Sequence, residues 1–123
     1  MKQYSELLKM DPAELNSWLL ENFSYMIPEN IDDIEAMKEA GEMLGKIANS
    51  YSYIIAMLSF AKVAVRNEKR KGKENKDQAE DMIDRKESLQ NMADILKMQY
   101  QAISRMITVR KDINEELKMM NCL

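Results

Sequence analysis

Tyrosine, serine and arginine side chains crowd into residues 99–111, QYQAISRMITVRK, which have helical spacing. An apolar stripe of Ile103, Met106 and Ile107 runs through this stretch. A second polar stretch, NSYSY at residues 49–53, carries two more tyrosines. Aromatic rings stack on planar groups, and hydroxyl and guanidinium groups hold phosphate. The candidate ligand-binding residues are Tyr51, Tyr53, Tyr100, Ser104 and Arg105.

The same polar residues also fit a seam between two helices that binds nothing. In the ligand-binding interpretation Ser50 also lies near the two tyrosines. In the seam interpretation the tyrosine hydroxyl groups satisfy one another. Arg110 then pairs with Glu35 and Glu39, which fixes the register of the helices. The sequence favours the seam and leaves the ligand site as a candidate.

The residue types of the sequence argue against an enzyme. The chain has no histidine, which excludes His-based acid–base catalysis and the Glu-x-x-His motif of di-iron bundles. Two groups of carboxylates suggest magnesium, but in a hairpin they lie about 40 Å apart at the helical rise. These groups are Glu35, Glu39 and Glu42, and Glu80, Asp81, Asp84 and Glu87. We predict a non-enzymatic protein without a metal or other cofactor.

Charge is unevenly distributed along the chain. Residues 1–45 carry 3 basic and 10 acidic residues, whereas residues 46–76 carry 8 basic and 2 acidic ones. The basic segment suits a phosphate backbone, but no aromatic residue lies inside it for base stacking. A solvated turn is the simpler interpretation. The nucleic-acid-binding alternative assigns Arg66, Lys69, Arg70, Lys71 and Lys73.

Hydrophobic periodicity predicts an all-α single domain built around a long antiparallel hairpin. Met37, Leu44, Tyr51, Leu58 and Val65 recur every seven residues, and a second series continues after Gly72. Asp11 and Asn30 are the predicted N-caps of the first two clear helices. The predicted divisions are an N-terminal helical segment at 1–27, long helices at 31–71 and 78–118, a basic turn at 72–77 and a frayed tail at 119–123.

A thin hairpin leaves apolar surface exposed, because the N-terminal segment is too short to cover it. We therefore predict a homo-oligomer, with Gly41 and Gly45 permitting the close approach of another helix. The alternative is that the long helices kink and fold back into a compact bundle.

The remaining features predict a cytoplasmic protein with no membrane association. Cys122 is the single cysteine, so no intramolecular disulfide forms. The most apolar stretch, YIIAMLSFAKVAV, is shorter than the roughly 20 residues that span a bilayer.

The segments AGEMLGKIANSYSYIIAML, EDMIDRKESL and LKMQYQAISRMITVRKDINEELKM resemble small all-helical proteins encoded by phages and prophages. The resemblance covers most of residues 36–120 and brings no activity or site residues with it. It implies a protein that binds a host factor, a defence protein or a signal, or that assists DNA replication and recombination.

The leading hypothesis is an oligomeric helical binding protein that sequesters or blocks a host defence protein or a small phosphorylated signal such as a nucleotide. The acidic first third could instead mimic nucleic acid towards a basic partner. A nucleic-acid-binding accessory and a purely structural oligomer are the alternatives.

Overall fold

Four helices make up the part of the chain that the computed structural model describes, residues 1–70 and 76–122. They are α1 (Tyr4–Leu7), α2 (Pro12–Phe23), α3 (Ile34–Arg70) and α4 (Lys76–Asn121). No strand occurs among these residues, which confirms the all-α prediction. α3 packs along α4 as a long hairpin, and α2 packs on α4. The alternative of long helices folded back into a bundle is wrong, because α3 and α4 each run uninterrupted.

Aspartate side chains cap the starts of α2 and α3. The Glu14 backbone N–H donates to Asp11 Oδ1 at 2.8 Å, and Pro12 occupies the first turn, as predicted. At α3 the prediction of Asn30 as the cap is wrong. The Ala36 backbone N–H donates to Asp33 Oδ1 at 2.7 Å, so α3 starts at Ile34, three residues later than the sequence suggested.

The two long helices also end differently from the prediction. The expected basic turn at 72–77 lies outside the described residues except for Lys76 and Asp77, which already belong to α4. At the other end α4 continues to Asn121, through positions predicted to fray. Every residue from 111 to 121 is exposed, so local helical bonding rather than tertiary packing forms this last section.

The heptad residues of the hairpin form the core. Ile47, Ile54 and Ala61 of α3 are fully buried, as are Leu89 and Leu96 of α4. Burial ends near the start of α3, where α4 borders residues 32–35 only across an open cavity. Ile113 and Leu117 continue the seven-residue pattern but remain 40% and 49% exposed.

The N-terminal segment covers one face of the hairpin. Leu7, Leu15, Leu19, Phe23 and Ile31 are buried in the same core as the two long helices. Hydrogen bonds fix its path along α4. The Arg85 guanidinium donates to the Met10 carbonyl at 2.9 and 3.1 Å, and the Gln99 side-chain amide donates to the Tyr25 carbonyl at 3.0 Å.

The opposite face of the hairpin stays open. Gly41 and Gly45 of α3 are exposed, and a methyl group added at either position would meet no atom within 4 Å. Among the described residues no helix therefore approaches these glycines closely. The predicted approach of another molecule at this point stays a prediction.

Candidate functional site

A cleft with a volume of about 410 Å³ lies between α3 and α4, and both helices supply its wall. The volume falls near the lower end of the range of small-molecule sites, roughly 300–1,000 Å³. Its lining is mostly apolar with a few polar groups. The residues that line it are Ala48, Tyr51, Ser52, Lys97, Tyr100 and Gln101.

Tyr51 and Tyr100 come together in this cleft from positions far apart in sequence. Tyr51 is half-buried at a heptad position of α3 and packs against the core. Tyr100 is 41% exposed, so its ring lies at the open side of the cleft. The hairpin register that places residue 51 near residues 97–100 produces this pairing.

Tyr53 does not line this cleft, so the structure does not bring it together with Tyr51 and Tyr100. Its hydroxyl donates to the Lys2 carbonyl, and its ring stacks on Phe23 with 5.6 Å between centroids. Burial raises the pKa of Tyr53, and the nearby Glu6 carboxylate raises it further. Residues two apart on a helix point about 200° apart, so Tyr51 and Tyr53 serve opposite faces of α3.

Ser104 and Arg105 are likewise absent from the cleft lining. The Ser104 carbonyl accepts a hydrogen bond from the Thr108 hydroxyl at 3.0 Å. Arg105 lines a different cavity of about 360 Å³ together with Arg110. Five residues separate Arg105 from Tyr100, a rotation of about 140° around α4, so the two side chains leave the helix on different sides.

Lys97 and Gln101 are the cleft residues that sequence reasoning missed. Lys97 stands three residues before Tyr100 and four before Gln101, so it is the neighbour of both on the surface of α4. The three-residue spacing from Tyr100 was the one signal in the sequence that pointed to Lys97. Lys97 brings a positive charge beside the two tyrosine rings, and Gln101 brings an amide that can donate and accept.

The structure differs from the predicted seam at Arg110 and from the predicted ligand site at Ser50. Arg110 lies 3.4 Å from Asp32, whereas the sequence predicted Glu35 and Glu39 as its partners. Asp32 precedes α3, and the late start of that helix leaves it free to reach α4. Ser50 is buried and shares a hydrogen bond of 2.7 Å with the Tyr25 hydroxyl, so it faces the N-terminal segment rather than the cleft.

Basic residues gather at the turn end of the hairpin. Arg66, Lys69 and Arg70 are all exposed near the end of α3. Lys71 and Lys73, the other members of the proposed nucleic-acid-binding set, lie outside the described residues. Arg66, Lys69 and Arg70 stand three and four residues apart, so they share one face of α3.

Residues 1–70 and 76–122 contain neither a metal-binding group of side chains nor a membrane-spanning helix. No group of three or more His, Cys, Asp or Glu side chains is arranged to hold a metal ion. None of the helices formed by these residues combines the length and apolarity needed to cross a bilayer.

Comparison with known proteins gives no relative from which a site could be transferred. Neither a protein-family model, nor a curated protein, nor a solved structure matches this chain. The candidate site therefore depends on its own geometry, with the Tyr51–Tyr100 cleft as its centre.

Proposed function

We propose that this protein is a non-enzymatic binding protein that sequesters a small phosphorylated molecule with a planar ring, such as a nucleotide. One observation carries the proposal: Tyr51 and Tyr100 line a single cleft together with Lys97. The tyrosine rings offer flat apolar surfaces for a planar group. The Lys97 ammonium offers a charge-assisted contact to a phosphate.

The size and composition of the cleft support this ligand class. A volume of about 410 Å³ suits a mononucleotide better than a long polymer or a protein loop. Stacking of a base on an aromatic side chain contributes roughly 1–3 kcal/mol and tolerates different bases. Lys97 would then supply the preference for a phosphorylated form over a bare nucleoside.

Sequestration rather than turnover is part of the same proposal. The cleft lining offers the Ser52 hydroxyl but no carboxylate or imidazole, the groups that serve most often as general bases. A serine hydroxyl without such a base beside it is a weak nucleophile. In the context that the resemblance to phage proteins implies, the bound molecule would be a signal of the host's defence. That context is an expectation from the resemblance alone.

Isothermal titration calorimetry with AMP, GMP, CMP and UMP, beside adenosine and inorganic phosphate, tests the proposal. We expect at least one nucleotide to bind more tightly than both adenosine and phosphate, because ring and charge contacts act together. Tyr100→Ala should weaken nucleotide binding by about 5- to 100-fold, the value of one stacked base. Lys97→Gln should weaken the nucleotide but leave adenosine unchanged.

Lys111→Gln is the matched control, since it removes the same charge from an exposed position of α4 outside the cleft. It should bind every probe as the wild type does. If none of the four nucleotides binds with a Kd below about 1 mM, the cleft is not a nucleotide site. Equal losses in Lys97→Gln and Lys111→Gln would also contradict the proposal, because they would reveal an effect of net charge alone.

A nucleic-acid-binding accessory is the second candidate, favoured by the exposed Arg66, Lys69 and Arg70 at one end of the hairpin. It predicts DNA binding that falls steeply with salt. Neutralising these three residues should abolish that binding and leave mononucleotide binding in the cleft intact. The two candidate functions therefore make different predictions. Cleft variants should weaken mononucleotide binding, whereas the neutralised basic residues should weaken DNA binding.

A further inference from the structure

An apolar ridge follows the outer side of α4 along its C-terminal half. Met98 is 69% exposed, Val109 56% and Leu117 49%, although all three are apolar. At 100° per residue the members of the ridge fall within an arc of about 100°. The ridge comprises Met98, Ala102, Met106, Val109, Ile113 and Leu117.

The residues before α3 border this ridge but leave most of it exposed. Met106 packs partly against the core and lines a cavity with Val109, Ile113 and residues 29–32, whereas Val109 and Ile113 keep 56% and 40% of their surface exposed. The N-terminal segment lies beside it, fixed to α4 through Gln99, and α3 lies on another side. The ridge also runs into the section from residue 111 to residue 121, which is exposed throughout. A continuous apolar surface of this kind on a soluble helix marks an interaction site.

We propose that two copies of this chain pair through the ridge with their α4 helices antiparallel. The spacing of the ridge is self-complementary. When a second α4 helix lies antiparallel to the first, each apolar residue of the ridge faces an apolar residue of the partner. In this register the small side chain of Ala102 meets the larger Ile113, which favours interdigitation at that point. The opposing pairs are Met98 with the partner's Leu117, Ala102 with the partner's Ile113, and Met106 with the partner's Val109.

Charges beside the ridge agree with the same register. Arg105 and Asp112 are both exposed and stand seven residues apart, so they flank the ridge on one side. In the antiparallel pair Arg105 of each copy lies beside the partner's Asp112, and twofold symmetry forms the contact twice. A parallel pair would instead place the Arg105 and Asp112 side chains of the two copies on opposite sides of the interface, where they could not meet.

Two more exposed apolar residues lengthen the ridge. Ile95 and Met120 lie at its two ends and are 40% and 68% exposed. In the proposed register Ile95 meets the partner's Met120, so the apolar contact extends over about 37 Å of each α4 helix at 1.5 Å per residue.

Sedimentation velocity of the full chain over a range of concentrations tests this proposal. We expect a reversible dimer of twice the 14.4 kDa chain mass. Val109→Glu combined with Ile113→Glu should raise the dimer Kd at least about tenfold, since it buries two charges per copy in the interface. Both positions are exposed in the single chain, so circular dichroism should show unchanged helix content.

Charge reversal tests the antiparallel register itself. Arg105→Asp and Asp112→Arg should each weaken the dimer, and the double variant carrying both changes should restore it. Lys111→Asp, an equal charge reversal away from the ridge, serves as the control and should not weaken it. A chain that stays monomeric would overturn self-association and leave the ridge to a different protein. A double variant that fails to restore the dimer would overturn the register.

Discussion

Replacement of Gly41 and Gly45 with alanine should stabilise the protein by about 1.5–2 kcal/mol. Both residues lie inside α3, where glycine costs roughly 0.8–1 kcal/mol relative to alanine. An added methyl group meets no atom within 4 Å at either position, so no steric cost offsets the gain. The two contributions should add, because neither side chain would touch another.

Thermal and urea unfolding followed by circular dichroism measure this gain. An unfolding entropy of about 2.1 cal/mol/K per residue, applied to 123 residues, converts the expected stabilisation to a rise in Tm of roughly 6–8 °C. Ala56→Gly is the matched control, since Ala56 is an exposed residue of α3. It should lower stability by about 1 kcal/mol.

A double alanine variant that is no more stable than the wild type, while Ala56→Gly shows its expected loss, would refute the reasoning. The result would mean that Gly41 and Gly45 already contact another molecule in solution. A loss that grows with protein concentration would assign that contact to a second copy, as the sequence predicted for these glycines.

Three further predictions concern stability. Leu96→Ala should cost about 2–5 kcal/mol in urea unfolding, because the side chain is fully buried; a cost below about 1 kcal/mol would contradict its place in the core. Asp11→Ala should cost about 0.5–2 kcal/mol through loss of the cap on α2, and Asp11→Asn should recover most of it. Stability should fall as pH rises above about 10, because the unfolded chain ionises Tyr53 at its ordinary pKa while the folded chain holds it neutral. Urea midpoints between pH 8 and 11 should fall less steeply in Tyr53→Phe, and an equal slope would contradict this assignment.

The core of the hairpin could be predicted because a single periodic signal dominates it. Residues such as Ile47, Ile54 and Leu96 recur at heptad spacing, and each is fully buried. The spacing also implied the antiparallel register, so Tyr51 and Tyr100 were expected near each other. Helix starts were less certain, since Asn30 and Asp33 are both good caps and only the packing of the preceding loop decides between them.

The details of the candidate site were harder to predict, because sequence proximity does not fix direction on a helix. Tyr53 and Arg105 lie within five residues of a cleft residue but point away from it. Lys97 and Gln101 were overlooked because a lysine and a glutamine on an amphipathic helix usually face solvent. Their role depends on the width of the gap that Ala48 and Ser52 leave between the helices, which periodicity does not report.

Native mass spectrometry tests the central claim, that the Tyr51–Tyr100 cleft holds a small phosphorylated molecule. The wild type and the Tyr51→Ala/Tyr100→Ala variant are each incubated with a small-molecule filtrate of bacterial cells and sprayed under gentle conditions. We predict that the wild type retains one phosphate-containing mass per cleft and that the double variant retains none. Equal retention by both proteins, or none by either, would contradict the claim.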